Sequence, residues 1–373
     1  MSNTLTSVIP TIFAQGLMAL REQAVMARLV NTDFSREVSQ QGNSVDVPIP
    51  SAITAQSVTA ANTPPSTADI APTSASIALS QWKEAPFQLS DKEMAEAVQG
   101  VVPSQVTEAI RSLANVVDSY VLGFYTKIYG YQGTAGTTPF AAVGDATGAR
   151  KILSNQIAPL DERRMVVDPD AEAAALALGA FLDASASGDA NVVINGNIGR
   201  KLGFDWFMDQ NIPTHTLGAA GTWLVDQTDV ATGDTGIHCD GATTTASVGD
   251  VFTVAGDTQT YTIVTSGALS TTDVDITFQP AAKVAWANNA AITWKATHVV
   301  NLAFNKDCFA LATRPLAPAP EGTGVITMSE VDPVSGLTLR LEITREYKRT
   351  RWAFDILYGA QCVRPELGCR VAG

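Results

Sequence analysis

Three histidines, four cysteines and a run of aspartates are the residues of this 373-residue chain best suited to chemistry. His215, His238 and His298 stand at unrelated points, so a Ser-His-Asp relay would have to recruit one of them across the fold. Each reads more simply as a structural or exposed residue. His238 adjoins Cys239, but zinc needs several ligands at short spacing. Cys239, Cys308, Cys362 and Cys369 form no C-x-x-C pair. Gly196, Gly199 and Gly203 are spaced G-x-x-G-x-x-x-G, which is not a dinucleotide loop, and no βαβ unit continues from them. Asp273-Val274-Asp275 could be imagined as a calcium corner but lacks further acidic ligands, so it reads as the wet face of a strand. Signatures of the G-x-S-x-G, HExxH, P-loop and nucleophilic-cysteine kinds are absent. Asp and Glu pairs could still converge in three dimensions. The sequence thus offers no positive sign of catalysis and implies no cofactor, no metal and no small-molecule substrate.

Charge narrows the classes further. Residues 202–282 contain ten aspartates, no Glu and no Lys or Arg, so this span carries −10 of the net −13 and leaves −3 for the rest. Such a field repels nucleic acid and favours a lobe held in solvent. Only 16% of residues are charged while 46% are hydrophobic, which implies surface hidden in a large core or against other chains. The first residues, MSNTLTSVIPTIFAQGLMALREQ, lack a signal-peptide pattern, and no apolar run approaches the roughly 18 residues of a membrane span. A soluble protein with reduced thiols, made in a cytoplasm and without a membrane partner, is the expectation.

The elements that would position these residues alternate between kinds. Phe13, Leu17, Leu20 and Met26 share one side of an amphipathic helix over 12–29, a docking arm for either its own body or a neighbour. Residues 41–80 are rich in Ala, Ser, Thr and Pro, yet SVDVPIPSAIT and ASIALSQWKEAPFQLS flank the polar middle like two arms of one ribbon. Val45, Val47 and Ile49 alternate in the first arm, Ile77 and Leu79 in the second. Pro48 and Pro50 exclude a central strand, and an isolated ribbon is marginal in water, so a partner surface is expected. Val106, Ile110, Leu113, Val117, Tyr120, Phe124 and Ile128 follow helical steps between Pro103 and Gly130. A helix (ATGARKILSNQI), a buried strand (RRMVVDP), and a helix capped by Asp168 with Pro169 at its first position follow. VVINGNIGRKLGFDWFMDQNIP then reads as strand, turn and strand, completing a mixed α/β pattern.

Residues 222–296 read as a small all-β barrel or sandwich. Phe252 and Val254 share one face of a hairpin, Tyr261 and Ile263 another. Val274, Ile276 and Phe278 add a third strand, and Trp286, Ile292 and Trp294 complete the core. NLAFNKDCFALATRPLAPAPE returns as a strand ending in a Pro-rich break. A β-meander follows, with Leu337, Leu339, Leu341 and Ile343 on one face, then Trp352, Phe354, Ile356 and Tyr358. Arg345, Lys348, Arg349 and Arg351 cluster at its turn, suited either to acidic groups of a neighbour, to nucleic acid, or to solvent alone.

This order of parts, with GRKLGFDWFMDQNIP, NLAFNKDCFALATRPLAPAP, WAFDILYGAQCVRPELGCRV and the insert segment VGDVFTVAGDTQTYTIV, resembles the major capsid (coat) proteins of tailed bacteriophages with the Johnson fold. The likeness is to the short-tailed-phage branch carrying an inserted β-barrel. It implies an α+β chain divided as an N-terminal arm (1–40), an extended E-loop (41–90), a spine helix with part of the P-domain (91–144) and an A-domain (145–221). An inserted barrel (222–297), an A-domain return strand (298–318) and a P-domain meander (319–373) would follow. It further implies a shell subunit that is not an enzyme, forming hexamers and pentamers with a scaffolding protein and a portal around double-stranded DNA, touched only weakly. Its place would be the virion capsid, after synthesis in the bacterial host cytoplasm. Contacts between copies are then expected from Val45, Val47, Ile49, Ile77, Leu79, Trp82 and the four basic residues. Lys83 shows no paired acid and Asn, so autocatalytic crosslinking is not expected. The readings set against this one are a cytosolic α/β enzyme with a β insert, and a phage decoration or adhesin module.

Overall fold

A computed structural model describes residues 25–33, 44–51, 53, 55, 57–58, 70, 72–96, 101–182, 195–227, 230–320, 322–331 and 337–373. The expected helix over 12–29 lies mostly outside these; its last turn, Val25–Leu29, is helical, with Met26 and Leu29 buried. Residues 192–194 of the expected VVIN strand, 332–336 of the expected VDPVSG turn and most of residues 50–72 in the ribbon also lie outside them.

In chain order the strands are β1 (Ser44–Ile49), β2 (Thr73–Ala78), β3 (Gln81–Ser90), β4 (Gly130–Gly133), β5 (Arg163–Val167), β6 (Arg200–Lys201), β7 (Phe204–Met208) and β8 (Thr214–His215). Then come β9 (Gly221–Val225), β10 (Gly236–Ala242), β11 (Val251–Val254), β12 (Tyr261–Ser266), β13 (Val274–Gln279) and β14 (Ile292–Trp294). The last are β15 (His298–Asn305), β16 (Phe309–Arg314), β17 (Ile326–Val331), β18 (Thr338–Glu346), β19 (Arg349–Cys362) and β20 (Gly368–Ala372). They form a two-stranded ribbon and three larger sheets.

The long helix runs Val101–Leu122 and tightens into a 3₁₀ turn, Gly123–Lys127. At ~1.5 Å per residue the α-helical part spans about 33 Å. Val106, Ile110, Leu113, Val117 and Val121 are buried along it, because three- and four-residue steps put them on one face. That face packs on β3 and β19. Asp118 is the one buried charge on the helix among the described residues, and it accepts the Met26 N–H at 3.2 Å, holding the short N-terminal helix in place. Burial, with Asp209 nearby, pushes its carboxyl up to about 7.

One sheet has the order β4-β20-β15-β5-β7-β6, with β8 also on β15. It is mixed: β4–β20 and β5–β7 are parallel, the other pairs antiparallel. Helix Val143–Asn155 packs against it through Ala146, Ala149 and Leu153. Asp168 caps the next helix, its Oδ2 accepting the Asp170 N–H at 3.3 Å. The single helix expected there is two pieces, Pro169–Leu176 and Gly179–Leu182.

A second sheet has the order β16-β19-β18-β17, with β3 paired along the free side of β19. Three expectations are corrected here. The arm ASIALSQWKEAPFQLS is two strands, β2 on the ribbon and β3 in this sheet. The segment NLAFNKDCFALATR is also two strands. Asn305 ends β15 by accepting the Asp307 N–H at 3.1 Å, and β16 then joins the other sheet. The chain end does not stay in the meander, since β20 crosses back to pair with β15 and β4.

Residues β9 to β14 form the third sheet, ordered β14-β11-β12-β13-β10-β9 and antiparallel throughout. Its two ends meet: Leu224 bridges Ala291, and Val225 donates to Ala290 O at 3.0 Å. Closure removes the free edges that an open sheet would leave. Phe252, Val254, Tyr261, Ile263, Val274, Ile276 and Phe278 are all buried in one core with Trp286 and Ile292. The two hairpin faces read separately from sequence are therefore one interior face, as the register Phe252↔Tyr261 requires.

Candidate functional site

Ten surface positions were expected to meet other copies, and the structure divides them. Val45, Val47, Ile77 and Leu79 are buried within the chain itself, packed with Ala310 and Ala312 of β16. The register sets Val45 opposite Ile77, so the ribbon presents one apolar face, and β16 with β19 receives it. Gly359 of β19 permits this approach, because a Cβ there would collide with the Ala78 carbonyl oxygen. Within one copy these four side chains are covered by the chain's own β16. Ile49 is half-buried and lines an open cleft with Asn31, Gln156, Ile157, Val363 and Leu367. Trp82 is 63% exposed, its indole N–H donating to Asp355 at 3.1 Å.

The basic cluster lies at the β18–β19 turn and is matched by the chain's own acids. Arg345 pairs with Asp91 at 2.6 Å and Arg351 with Glu84 at 2.6 Å, while Arg349 pairs with Glu346. The Arg345 guanidinium lowers the Asp91 carboxyl below its ordinary range. Lys348 lies over the exposed Tyr347 ring at 5.3 Å. Such exposed pairs leave the residues within reach of another charged surface.

Residues not anticipated as a group join the barrel to the rest of the molecule. The backbone around the end of the long helix is the seat: Thr262 Oγ1 donates to Thr126 O at 3.0 Å, and Thr260 Oγ1 to Tyr129 O at 2.6 Å. Arg370 of β20 is fully buried and reaches across, donating to Gly249 O at 2.8 Å and to Thr126 O and Thr262 Oγ1 at 3.2 Å. Burial pulls this guanidinium down to about 10. Its planar head lies over the Tyr125 ring at 5.1 Å. Tyr125 OH contacts His215 Nδ1 at 3.0 Å, and His215 Nε2 contacts Asp250 Oδ1 at 2.8 Å. The Asp250 carboxylate also accepts the N–H groups of Ala219 (3.2 Å) and Ser247 (2.8 Å).

In this Tyr-His-Asp chain His215 and Asp250 are almost wholly covered and Tyr125 is half-buried, all three held by packing and hydrogen bonds within the chain. It is a fastening. The aspartates are also less uniform than their composition suggests. Asp250 and Asp209 are buried, and Asp257 accepts from Tyr261 OH at 2.6 Å and Trp286 Nε1 at 3.3 Å. Asp234 accepts the Ala231 N–H at 2.8 Å in a turn. Within the lobe expected to be held in solvent, Asp234 and Asp250 therefore serve the chain's own backbone. His238 is the exposed case, paired with Asp275 at 2.7 Å, and that hydrogen bond raises its pKa. Among the described residues no group of three or more His, Cys, Asp or Glu is placed to hold a metal. No described helix is long and apolar enough to cross a membrane.

No family model matches the sequence, and no curated protein matches it. Solved structures do. A chain from Mycobacterium phage Che8 is 16% identical and aligns over 93% of this chain and 90% of its own, with a TM-score of 0.54. The capsid of a native GTA particle is 11% identical over 94% of this chain and 90% of its own, with a TM-score of 0.50. At such identities the likeness is one of fold: this mixed α/β chain shares, over nearly all its length, the fold of phage capsid structures.

Proposed function

We propose that this chain is the major capsid protein of a tailed bacteriophage, whose copies assemble into the icosahedral shell around packaged double-stranded DNA. The observation that supports this most is the fold shared end to end with a capsid chain, rather than over one module. In this reading the β1–β2 ribbon is the E-loop, the helix Val101–Leu122 the spine, and the sheet around β15 the core of the A-domain. The sheet around β19 then belongs to the P-domain, and the closed six-stranded barrel is an inserted domain of the Johnson fold. The barrel's bracketing by β8 and β15, which pair with each other, supports its being an insertion into an otherwise continuous sheet.

The shell reading gives the remaining exposed groups a use. Ile53, Val58 and Ile70, at 68%, 81% and 75% exposure, project from the ribbon, a costly arrangement for an isolated subunit. Trp82, Ile49 and the Arg345, Lys348, Arg349 and Arg351 cluster are the contacts we assign to neighbouring copies in hexamers and pentamers. A scaffolding protein and a portal are the further partners, and the acidic balance keeps contact with DNA weak. The subunit is made in the host cytoplasm and resides in the virion capsid. Its work is assembly, not catalysis.

Sedimentation velocity on the full-length chain, alone and with a scaffolding protein expressed beside it, tests this. Rings or shell-sized species are expected. A single monomer boundary in both samples would contradict it.

A further inference from the structure

The chain enters the barrel from β8 and leaves it into β15, and the register of these two strands sets His215 directly opposite His298. Their ring centroids lie 5.5 Å apart. The neck of the barrel is therefore a pair of histidines. His215 ties the two units together, with Asp250 of the barrel on Nε2 and Tyr125 of the body on Nδ1. Because Asp250 is the acceptor, Nε2 of a neutral ring carries the proton and Nδ1 accepts from the tyrosine hydroxyl.

His298 is held differently. Its Nδ1 donates to Ala296 O at 2.7 Å, so in the neutral ring Nε2 is bare. That atom is buried, and no described group pairs with it. The groups facing this ring come from every side: Arg370 of β20, His215 of β8, Asp250 of the barrel, and Tyr131 of β4 edge-on at 5.1 Å. Lys295 lies over that tyrosine ring at 5.4 Å. Cations thus outnumber the single carboxylate. A proton added at Nε2 would be buried without an acceptor beside a guanidinium. Burial accordingly pulls His298 down to about 4, with Arg370 and His215 acting in the same direction.

We propose that the His215–His298 pair is a protonation-sensitive hinge: with His298 neutral the barrel is locked on the body, and a proton taken up by His298 favours an open neck in which both units stay folded. The barrel can survive opening because it closes its own edges and has its own core. The proposal concerns the neck alone and does not depend on the shell reading. In the open state His298 is hydrated and returns to about 6.5. A group depressed in the closed state stabilises closure fully above about pH 6.5, and that stabilisation is lost as pH falls toward 4. Between pH 7.5 and 5.5 the opening equilibrium should rise about tenfold.

Hydrogen exchange on the full-length chain, corrected for the intrinsic effect of pH, reads this directly. The neck amides of Gly218, Val299 and Val300 should open about tenfold more at pH 5.5 than at 7.5. The amides of Phe278 in the barrel and Val363 in the body should not change. In His298→Gln, which cannot titrate, the neck should lose its pH dependence. Should that variant not fold, NMR titration of the wild-type His298 ring must give a midpoint well below 6.5. The proposal is overturned by a neck insensitive to pH, by the same sensitivity in His298→Gln, by barrel and body opening together with the neck, or by a ring midpoint near 6.5.

Discussion

The barrel and the β1–β2 ribbon are both antiparallel, and both turn one apolar face inward, but they meet the demands of a β-sheet in opposite ways. The barrel pairs its first strand with its last and packs aromatic rings in its centre, Phe252, Tyr261, Phe278 and Trp286 lying 5.1 to 5.8 Å from one another along the chain of contacts. Every face-forming residue finds its partner inside the same stretch of sequence. The ribbon has two strands and no interior of its own, so Val45, Val47, Ile77 and Leu79 depend on alanines of β16. Closure makes a unit; an open pair remains a dependant. This contrast also explains why the barrel can be attached through hydrogen bonds and a small apolar contact of Val251 with Tyr131 and Ala372, whereas the ribbon must lie along its support.

The largest effect should come from the barrel's interior. Phe252→Ala removes a fully buried ring and should destabilise the barrel by about 3–5 kcal/mol. Tryptophan fluorescence in urea, to which Trp223, Trp286 and Trp294 of the barrel contribute three of the chain's six indoles, should show an early partial transition while the helical signal persists. A single unchanged transition would mean that barrel and body are one cooperative block.

The ribbon should respond less and more locally. Ile77→Ala should cost about 2–3 kcal/mol, and hydrogen exchange should place the loss in β1 and β2, with the barrel untouched. If that substitution instead lowered protection in the barrel, the two regions would be energetically linked and the contrast would fail.

Smallest of all should be the surface pairs. Arg351→Ala removes one exposed partner of Glu84 and should change subunit stability by no more than about 0.5–1 kcal/mol by chemical denaturation. Its larger consequence, in the shell reading, is slower assembly that depends on salt, read by light scattering. A variant assembling at the wild-type rate at low salt would remove this residue from the interface.

The barrel was legible because its information is local. Alternation such as Val274-Asp275-Ile276-Thr277-Phe278, broken by Gly and Asp at turns, specifies strands without reference to the rest of the chain. The long helix was legible for the same reason. What could not be read were the places where the chain changes sheets. Leu79-Ser80 between β2 and β3, and Lys306–Cys308 between β15 and β16, carry no Pro or Gly: the first joins two strands of different sheets directly, and the second is a single 3₁₀ turn capped by Asn305. Ribbon residues were assigned to neighbours because β16, which covers them, lies far along the sequence. The neck was hidden likewise: His215, His298 and Arg370 become one cluster only through long-range pairing. A lone arginine in the otherwise apolar GCRVAG was the one signal that could have raised the question.

In the proposed shell reading the chain is completed by copies of itself, with the barrel self-sufficient and the exposed residues between β1 and β2 meeting a neighbour. Electron cryomicroscopy of the full-length chain expressed beside a scaffolding protein tests this reading most directly. Closed shells are expected, with the exposed Ile53, Val58 and Ile70 covered by an adjacent subunit and the barrel retaining the closed core described above. Discrete monomers, or a shell in which the ribbon touches only its own chain, would contradict the account.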